Sequence, residues 1–315
     1  MRRASAYGET DAVESGKPAA EGSDTLKGIV FIILAGMFFA WMSVGIRLAG
    51  DIPTMEKCVF RNAIALLLSG VALWREGGGP RCRAGNFWPM VGRAVFGSAG
   101  LVLNFYANGH INIADANVLN KLSPFVVLIC SSVVLKERFR PGHFLIVSGA
   151  FLGCLFVVKP SLDLSAMIPS MAGAGGGILA GVALTCVRAM GRRGEREMLV
   201  VFYFSAFSTL ITLPFLIFNF QPFTVRQFGA LMLASVGGCC GQLCVTKAYC
   251  YAPAREISVF DYSQILFSAL FGWLFLKQYP DIFSWLGYGI LLSMGVILFL
   301  YNKKLDGSEN IQQKV

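Results

Sequence analysis

The sequence predicts an all-α integral membrane protein, with ten transmembrane helices arranged as two inverted five-helix repeats. Three observations carry that reading. The 315 residues are 55% apolar and only 14% charged, with a mean hydropathy of +0.62, whereas a soluble domain carries about 25% charged residues. The apolar residues fall into ten runs, each near the roughly 20 residues a helix needs to cross a bilayer. The second five runs echo the first five.

Residues 1–26 are polar and rich in Gly, Ala, Ser and Glu, with no apolar core segment. They read as a disordered cytoplasmic tail and not as a signal peptide. The spans follow at 28–49, 55–74, 89–109, 114–135 and 142–159, which make up a first repeat over 27–160. A second repeat over 171–302 holds spans at 172–190, 198–219, 227–248, 255–277 and 283–301, and residues 303–315 form a second cytoplasmic tail. Positive charge sets their orientation. Arg2, Arg3, Lys17 and Lys27 precede the first span, and Arg75, Arg81 and Arg83 separate the second from the third. Lys136, Arg138 and Arg140 follow the fourth, Arg192, Arg193 and Arg196 the sixth, and Lys303 and Lys304 the tenth. The alternate loops carry little, so both termini are expected in the cytoplasm of a multi-pass inner-membrane protein.

The repeat is visible residue by residue. A shift of 141 puts Ala107 on Ala248, Val118 on Val259, Leu135 on Leu276 and Lys136 on Lys277, and Gly97 and Gly100 on Gly238 and Gly241. A shift of 145 puts Ile33–Gly36 on Ile178–Gly181 and Arg47 on Arg192. Five spans is an odd number, so the second copy must lie upside down, as in many secondary transporters whose substrate site sits near the midplane. Charge agrees: Lys136–Arg140 holds three cations, while its partner Lys277–Asp281 holds one cation and one anion.

Composition also excludes functions. The net charge of +9 lies in short loop clusters, not in a basic stripe with interleaved aromatics, so no nucleic-acid partner is expected. Eight of the nine cysteines lie in apolar runs, where thiols behave as small hydrophobes. Cys239, Cys240 and Cys244 cluster, but His110 and His143 are far from them in sequence, so no metal site is expected. No cofactor is expected either, because Gly173–Gly177 lacks the strand and the Gly-Lys-Ser/Thr of a phosphate loop. Gly149-x3-Gly153, Gly177-x3-Gly181 and Gly237-x3-Gly241 predict close helix contacts.

Ionisable residues inside spans cost about 2.5–3.5 kcal/mol each on insertion scales and are therefore functional candidates. They are Arg61, Asp115, Lys121, Arg188, Lys247, Glu256 and Asp261. Lys247, Arg255 and Glu256 lie near a span end and Arg188 near the Arg192 cluster, where snorkelling explains them. Asn117, Asn120, Lys121 and Pro124 are spaced to share one face of the fourth span, and the repeat maps them onto Ser258, Asp261, Tyr262 and Ile265. Asn120/Lys121 and Asp261/Tyr262 are therefore expected at equivalent depths from opposite leaflets, as a binding or coupling site or as a structural ion pair. Arg61 is expected to neutralise a carboxylate or to meet an anionic substrate. Trp41 and Asn104 are further candidates to line a cavity.

Ser123-Pro-Phe125 followed by Leu135-Lys-Glu-Arg-Phe139 resembles the fourth-span signature of the drug/metabolite transporter superfamily, in particular its ten-span EamA type. Phe260-Asp-Tyr262, Gly272–Leu276 and Pro280-Asp281 resemble the same region of the second EamA repeat, and Arg61 sits where that family often has an arginine. The resemblance implies an alternating-access carrier of a small polar metabolite, amino-acid-like or drug-like, with export favoured over import and no enzymatic activity. Protons are a candidate coupling ion, and the molecule is expected as a monomer or homodimer. Import of a metabolite such as S-adenosylmethionine or a vitamin is the alternative within that class; a passive channel or membrane scaffold is the alternative outside it. One departure is visible: Gln278 replaces the usual Glu, while Glu137 is kept in the first repeat, which points to a structural role for Glu137.

Overall fold

A computed structural model describes residues 18–77, 79, 81–110, 117, 119–136, 140–158, 167–277 and 282–312. Among them all regular structure is helical. The main helices are α1 (Pro18–Leu48), α2 (Thr54–Arg75), α3 (Phe87–His110), α4 (Ser123–Val134), α5 (Pro141–Val158), α6 (Met167–Arg192), α7 (Glu197–Asn219), α8 (Val225–Tyr251), α9 (Ser263–Leu276) and α10 (Ile282–Gln312). Six of them, α1, α2, α3, α6, α7 and α8, are long and apolar enough to cross a membrane; α4, α5 and α10 contain shorter apolar stretches.

Three expectations change. Residues 18–26, expected in the tail, are the first turns of α1, and 303–312 continue α10. The fourth and ninth segments are not continuous helices. α4 has 12 residues and α9 has 14, so at 1.5 Å per residue they extend only about 18 and 21 Å. Each is preceded by a break: a turn at Lys121–Leu122 before α4, and a one-turn helix Ala254–Ile257 plus a 3-10 turn Phe260–Tyr262 before α9. Asn117, Asn120, Lys121 and Pro124 therefore do not share one unbroken helix face. Pro124 occupies the first turn of α4, where the missing N–H would have had no helical partner in any case.

The halves interdigitate. α1 packs along α8, α2 along α7, α3 along α6 and α5 along α10, with further contacts α1–α9, α4–α6, α2–α8 and α3–α7. The principal pairs run antiparallel. Gly28 faces Ala252 and Gly45 faces Ala234, Gly92 faces Cys186 and Gly100 faces Gly176, and Gly142 faces Tyr301 while Gly153 faces Ile290. A Cβ on Gly100 would lie 3.0 Å from the Gly176 carbonyl oxygen, and one on Gly176 would lie 3.1 Å from that of Gly100. That mutual approach leaves no room for a methyl group, so van der Waals contact between backbones holds these helices together. The three Gly-x3-Gly motifs behave as expected, meeting α10, the α4 segment and α1 respectively.

Ile32, Val127, Leu128, Val187, Met190, Leu199, Tyr249, Ile257 and Tyr262 form a continuous buried cluster. Leu67, Val133, Leu145, Leu210, Ile217, Leu292 and Val296 point outward. An apolar exterior around a helical bundle, with backbone groups bonded internally, is the arrangement lipid requires.

At one end of the bundle three cationic loops meet. The Glu195 carboxylate accepts from the Arg83 backbone N–H (2.9 Å), the Asn86 side chain (2.9 Å) and the Arg196 backbone N–H (3.2 Å). Arg193 donates to the Gly85 carbonyl, Arg196 to Gly79 O (2.6 Å) and Arg192 to Leu135 O (2.7 Å).

Candidate functional site

The two broken segments meet through Lys121 and Asp261. A main-chain carbonyl at each irregular turn accepts from a side chain of the opposite segment. The Lys121 ammonium donates to Asp261 Oδ2 at 2.9 Å, to the Asp261 carbonyl oxygen at 3.0 Å and to Gln264 Oε1 at 2.8 Å. An ammonium has three protons, and all three are engaged. Tyr262 returns the contact by donating its hydroxyl to the Lys121 carbonyl at 3.2 Å. Lys121 is 2% exposed and Asp261 8%. Such a buried pair contributes little net stability, but removing one partner strands the other, at a cost of about 3–5 kcal/mol.

Arg61, on α2, is buried. Its guanidinium donates to Asn62 Oδ1 (2.8 Å) and Gln242 Oε1 (3.2 Å). Asn62 in turn donates to Ser208 Oγ (2.8 Å), and Gln242 donates to Thr246 Oγ1 (3.2 Å). This chain of neutral groups ties α2, α7 and α8 together. Trp41 is edge-on to Phe271 and Phe275, at 5.4 and 5.3 Å between ring centroids, where α1 meets α9. Asn104 is half-buried where α3 crosses α6, its backbone close to Gly176. Asn117 and Asn120 are half-buried, and the Asn120 backbone lies against Gly177 of α6.

The structure therefore brings Lys121, Asp261 and Tyr262 into direct contact and places Arg61, Trp41 and Asn104 at other helix contacts. Sequence reasoning missed Gln264, Gln242 and Arg93. Gln264 lies one helical turn beyond Asp261, so the i, i+3 spacing was the available signal. Asp115, Glu137, Gln278, Pro280 and Asp281 lie outside the described residues. The candidates assigned to snorkelling have local partners: Lys247 lies over the Phe31 ring (5.3 Å), Glu256 accepts from Thr25 Oγ1 (2.6 Å), and Arg188 reaches the Tyr249 and Cys250 carbonyls. Among the described residues no three His, Cys, Asp or Glu side chains come together as a metal site, and Cys239, Cys240 and Cys244 are free thiols.

Comparison with known proteins matches residues 26–159 and 167–301, each separately, to the EamA-like transporter family. The chain belongs to that family. As an EamA-like protein of the drug/metabolite transporter superfamily it is a multi-pass membrane transporter of a small-molecule substrate and not an enzyme. It is 33% identical over 284 residues to the pseudopaline exporter CntI of Pseudomonas aeruginosa, covering 89% of this chain and 99% of that one. It is 24% identical over 279 residues to a riboflavin transporter of Brucella anthropi, covering 85% and 96% respectively. A crystal structure with 16% sequence identity superposes with a TM-score of 0.74 over 90% of this chain and 99% of that chain, a likeness of fold.

Proposed function

We propose that this protein is a secondary active carrier that exports a small polar metabolite, amino-acid-like or drug-like, across the inner membrane by alternating access. The observation that carries the reading is the buried Lys121–Asp261 pair, 2.9 Å apart, which joins one family-matched half to the other at two broken helices. Breaks of this kind form substrate and ion sites in carriers, where irregular backbone is tolerated because it lines the pathway. Ten spans as two inverted repeats, with both termini cytoplasmic, complete the reading. Advancing each helix by five turns α1–α8 into α6–α3 and α1–α9 into α6–α4, and maps α2–α7 and α5–α10 onto themselves, which supports internal symmetry. Lys136 and Lys277, paired by the 141-residue shift, have φ of 52° and 56° and are the positive-φ non-glycine residues among those described. The likeness to an exporter supports outward transport. Asn117, Asn120, Lys121, Asp261 and Tyr262 form the central site in this reading, with Arg61, Trp41 and Asn104 along the pathway. Protons are the proposed coupling ion, and the carrier works as a monomer or homodimer.

Counterflow in proteoliposomes tests the proposal. Saturable exchange is expected, and Lys121→Ala and Asp261→Asn should abolish it while still inserting into the membrane. Flux that grows linearly with concentration would replace the carrier by a channel. Dependence on a pH gradient that survives Asp261→Asn would remove Asp261 as a proton relay. Metabolite levels in cells with and without the protein give cargo and direction together. A vitamin as cargo is a second reading, supported by the likeness to a riboflavin transporter.

A further inference from the structure

Away from the Lys121–Asp261 seam, two arginines lie buried against the same aromatic ring. Arg61 of α2 is 4% exposed and Arg93 of α3 is 5% exposed. Their guanidinium carbons stand 5.6 Å and 4.1 Å from the centroid of Phe204, on α7. Among the described residues no carboxylate lies within ion-pair distance of either, and the Nε of both is buried without a partner. The hydrogen bonds that Arg61 does make end on neutral amides, those of Asn62 and Gln242.

Glycines leave space for these side chains, Gly97 on α3 itself and Gly238 on α8. A Cβ on Gly97 would come within 2.5 Å of Arg93 Nη1 and 2.9 Å of the Phe204 ring. A Cβ on Gly238 would come within 2.9 Å of Arg61 Cγ and 3.1 Å of its Nε. Gly97 and Gly238 are also a pair under the 141-residue shift, one glycine from each repeat, and both arginines come from the first repeat.

Buried charges are normally paired. The face of Phe204 attracts a cation but carries no net charge to cancel two. What the site lacks is an oxyanion, and the planar guanidinium fork matches a carboxylate or a phosphate. We propose that Arg61 and Arg93 form an anion subsite that holds an oxyanion group of the cargo, a carboxylate or a phosphate. The inference rests on the carrier reading and narrows its substrate class to small organic anions or zwitterions. Lys121 and Asp261 already satisfy each other, so the cargo's negative charge goes to the arginines.

Thermal unfolding of the purified full-length protein in detergent tests this, with malate and inorganic phosphate as probes at constant ionic strength against chloride. A saturable rise in unfolding temperature is expected with at least one probe, and which of the two acts identifies the oxyanion. Arg61→Gln and Arg93→Gln should each raise the half-saturating concentration at least tenfold, while Gly289→Ala, where an added Cβ meets nothing within 4 Å, should leave it unchanged. Arg61→Lys and Arg93→Lys, which keep the charge but lose the fork, should weaken binding to an intermediate degree and serve if the glutamine variants do not fold. No saturable rise in the unsubstituted protein with either probe, or equal rises in the arginine variants, overturns the subsite. Counterflow separates the two proposals: exchange without anion stabilisation removes the subsite alone, and anion stabilisation without exchange removes the carrier reading alone.

Discussion

Lys121 satisfies its charge and all three of its protons on one neighbouring segment, so its removal should be felt twice. Lys121→Met leaves the Asp261 carboxylate buried without its cation, and a loss of about 3–5 kcal/mol is expected in reversible unfolding. A Lys121→Met/Asp261→Leu double variant should recover much of that loss, since an apolar pair of similar volume is often tolerated. Recovery of stability without recovery of exchange would mark the pair as functional; recovery of both would make it structural. Glu195 sets a pH dependence at the loop end. Burial alone would raise its carboxyl pKa, but the Asn86 hydrogen bond, the Arg83 and Arg196 backbone N–H groups and the Arg196 charge outweigh it and hold the carboxyl below its usual range. A folded-state value below the unfolded one of about 4.3 gives stability that is complete above that pH and lost as pH falls through the lower folded value. Acid titration of the unfolding midpoint should show this decline, and Glu195→Gln should flatten it. Lys121, Asp261 and Arg61 were legible in the sequence because a charge inside an apolar run stands out. Arg93 was not: it lies near the start of its span, where an arginine ordinarily reaches for the interface, and only its packing under Phe204 shows it to be buried.

Among the elements, the fourth and ninth segments show where hydropathy stops being informative. A window of apolar residues scores the same whether its backbone is continuous or broken, so both segments read as single spans. Pro124 in the first turn of α4 and Pro253 before the one-turn helix are local signals for the irregular turns at Lys121–Leu122 and Phe260–Tyr262. The hydrogen bond that joins the two segments, however, spans 140 residues and has no local pattern. Small-residue motifs were the opposite case, since Gly-x3-Gly spacing states directly which helix face can approach another. Gly177 is the sharpest test: a Cβ there would meet the Leu119 carbonyl oxygen at 2.6 Å, and backbone cannot swing aside as a side chain can. Gly177→Val should push α6 off the segment leading to α4 and cost about 1–3 kcal/mol, the usual range for overpacking. Gly289→Ala, inside α10 where a Cβ meets nothing within 4 Å, is the control and should leave the unfolding temperature unlowered or slightly raised, since alanine is the better helix former.

For the whole molecule, the helical membrane architecture and the family were readable from composition, run length and two short motifs, because a bilayer permits few solutions. The interdigitation was not, since nothing in a hydropathy trace says that α1 pairs with α8 and not with α2. The loops that cluster around Glu195 carry the positive charge, which predicts that this end faces the cytoplasm. Cys82, half-exposed in one of those loops, is a native reporter. A membrane-impermeant thiol reagent should leave it unlabelled in intact cells and label it in inside-out vesicles. Labelling from outside would turn the topology over.

The lysine at the seam has one more implication. The three bonds of this buried joint all end on one opposing segment, so opening the seam breaks them together and leaves charges without partners. If the chain works as proposed, the seam behaves as a latch: an empty carrier idles shut, and opening waits for a polar visitor able to take over the contacts. Slippage is then suppressed by the same residues that recognise the load, and flux through the unloaded protein should stay near the background of bare liposomes.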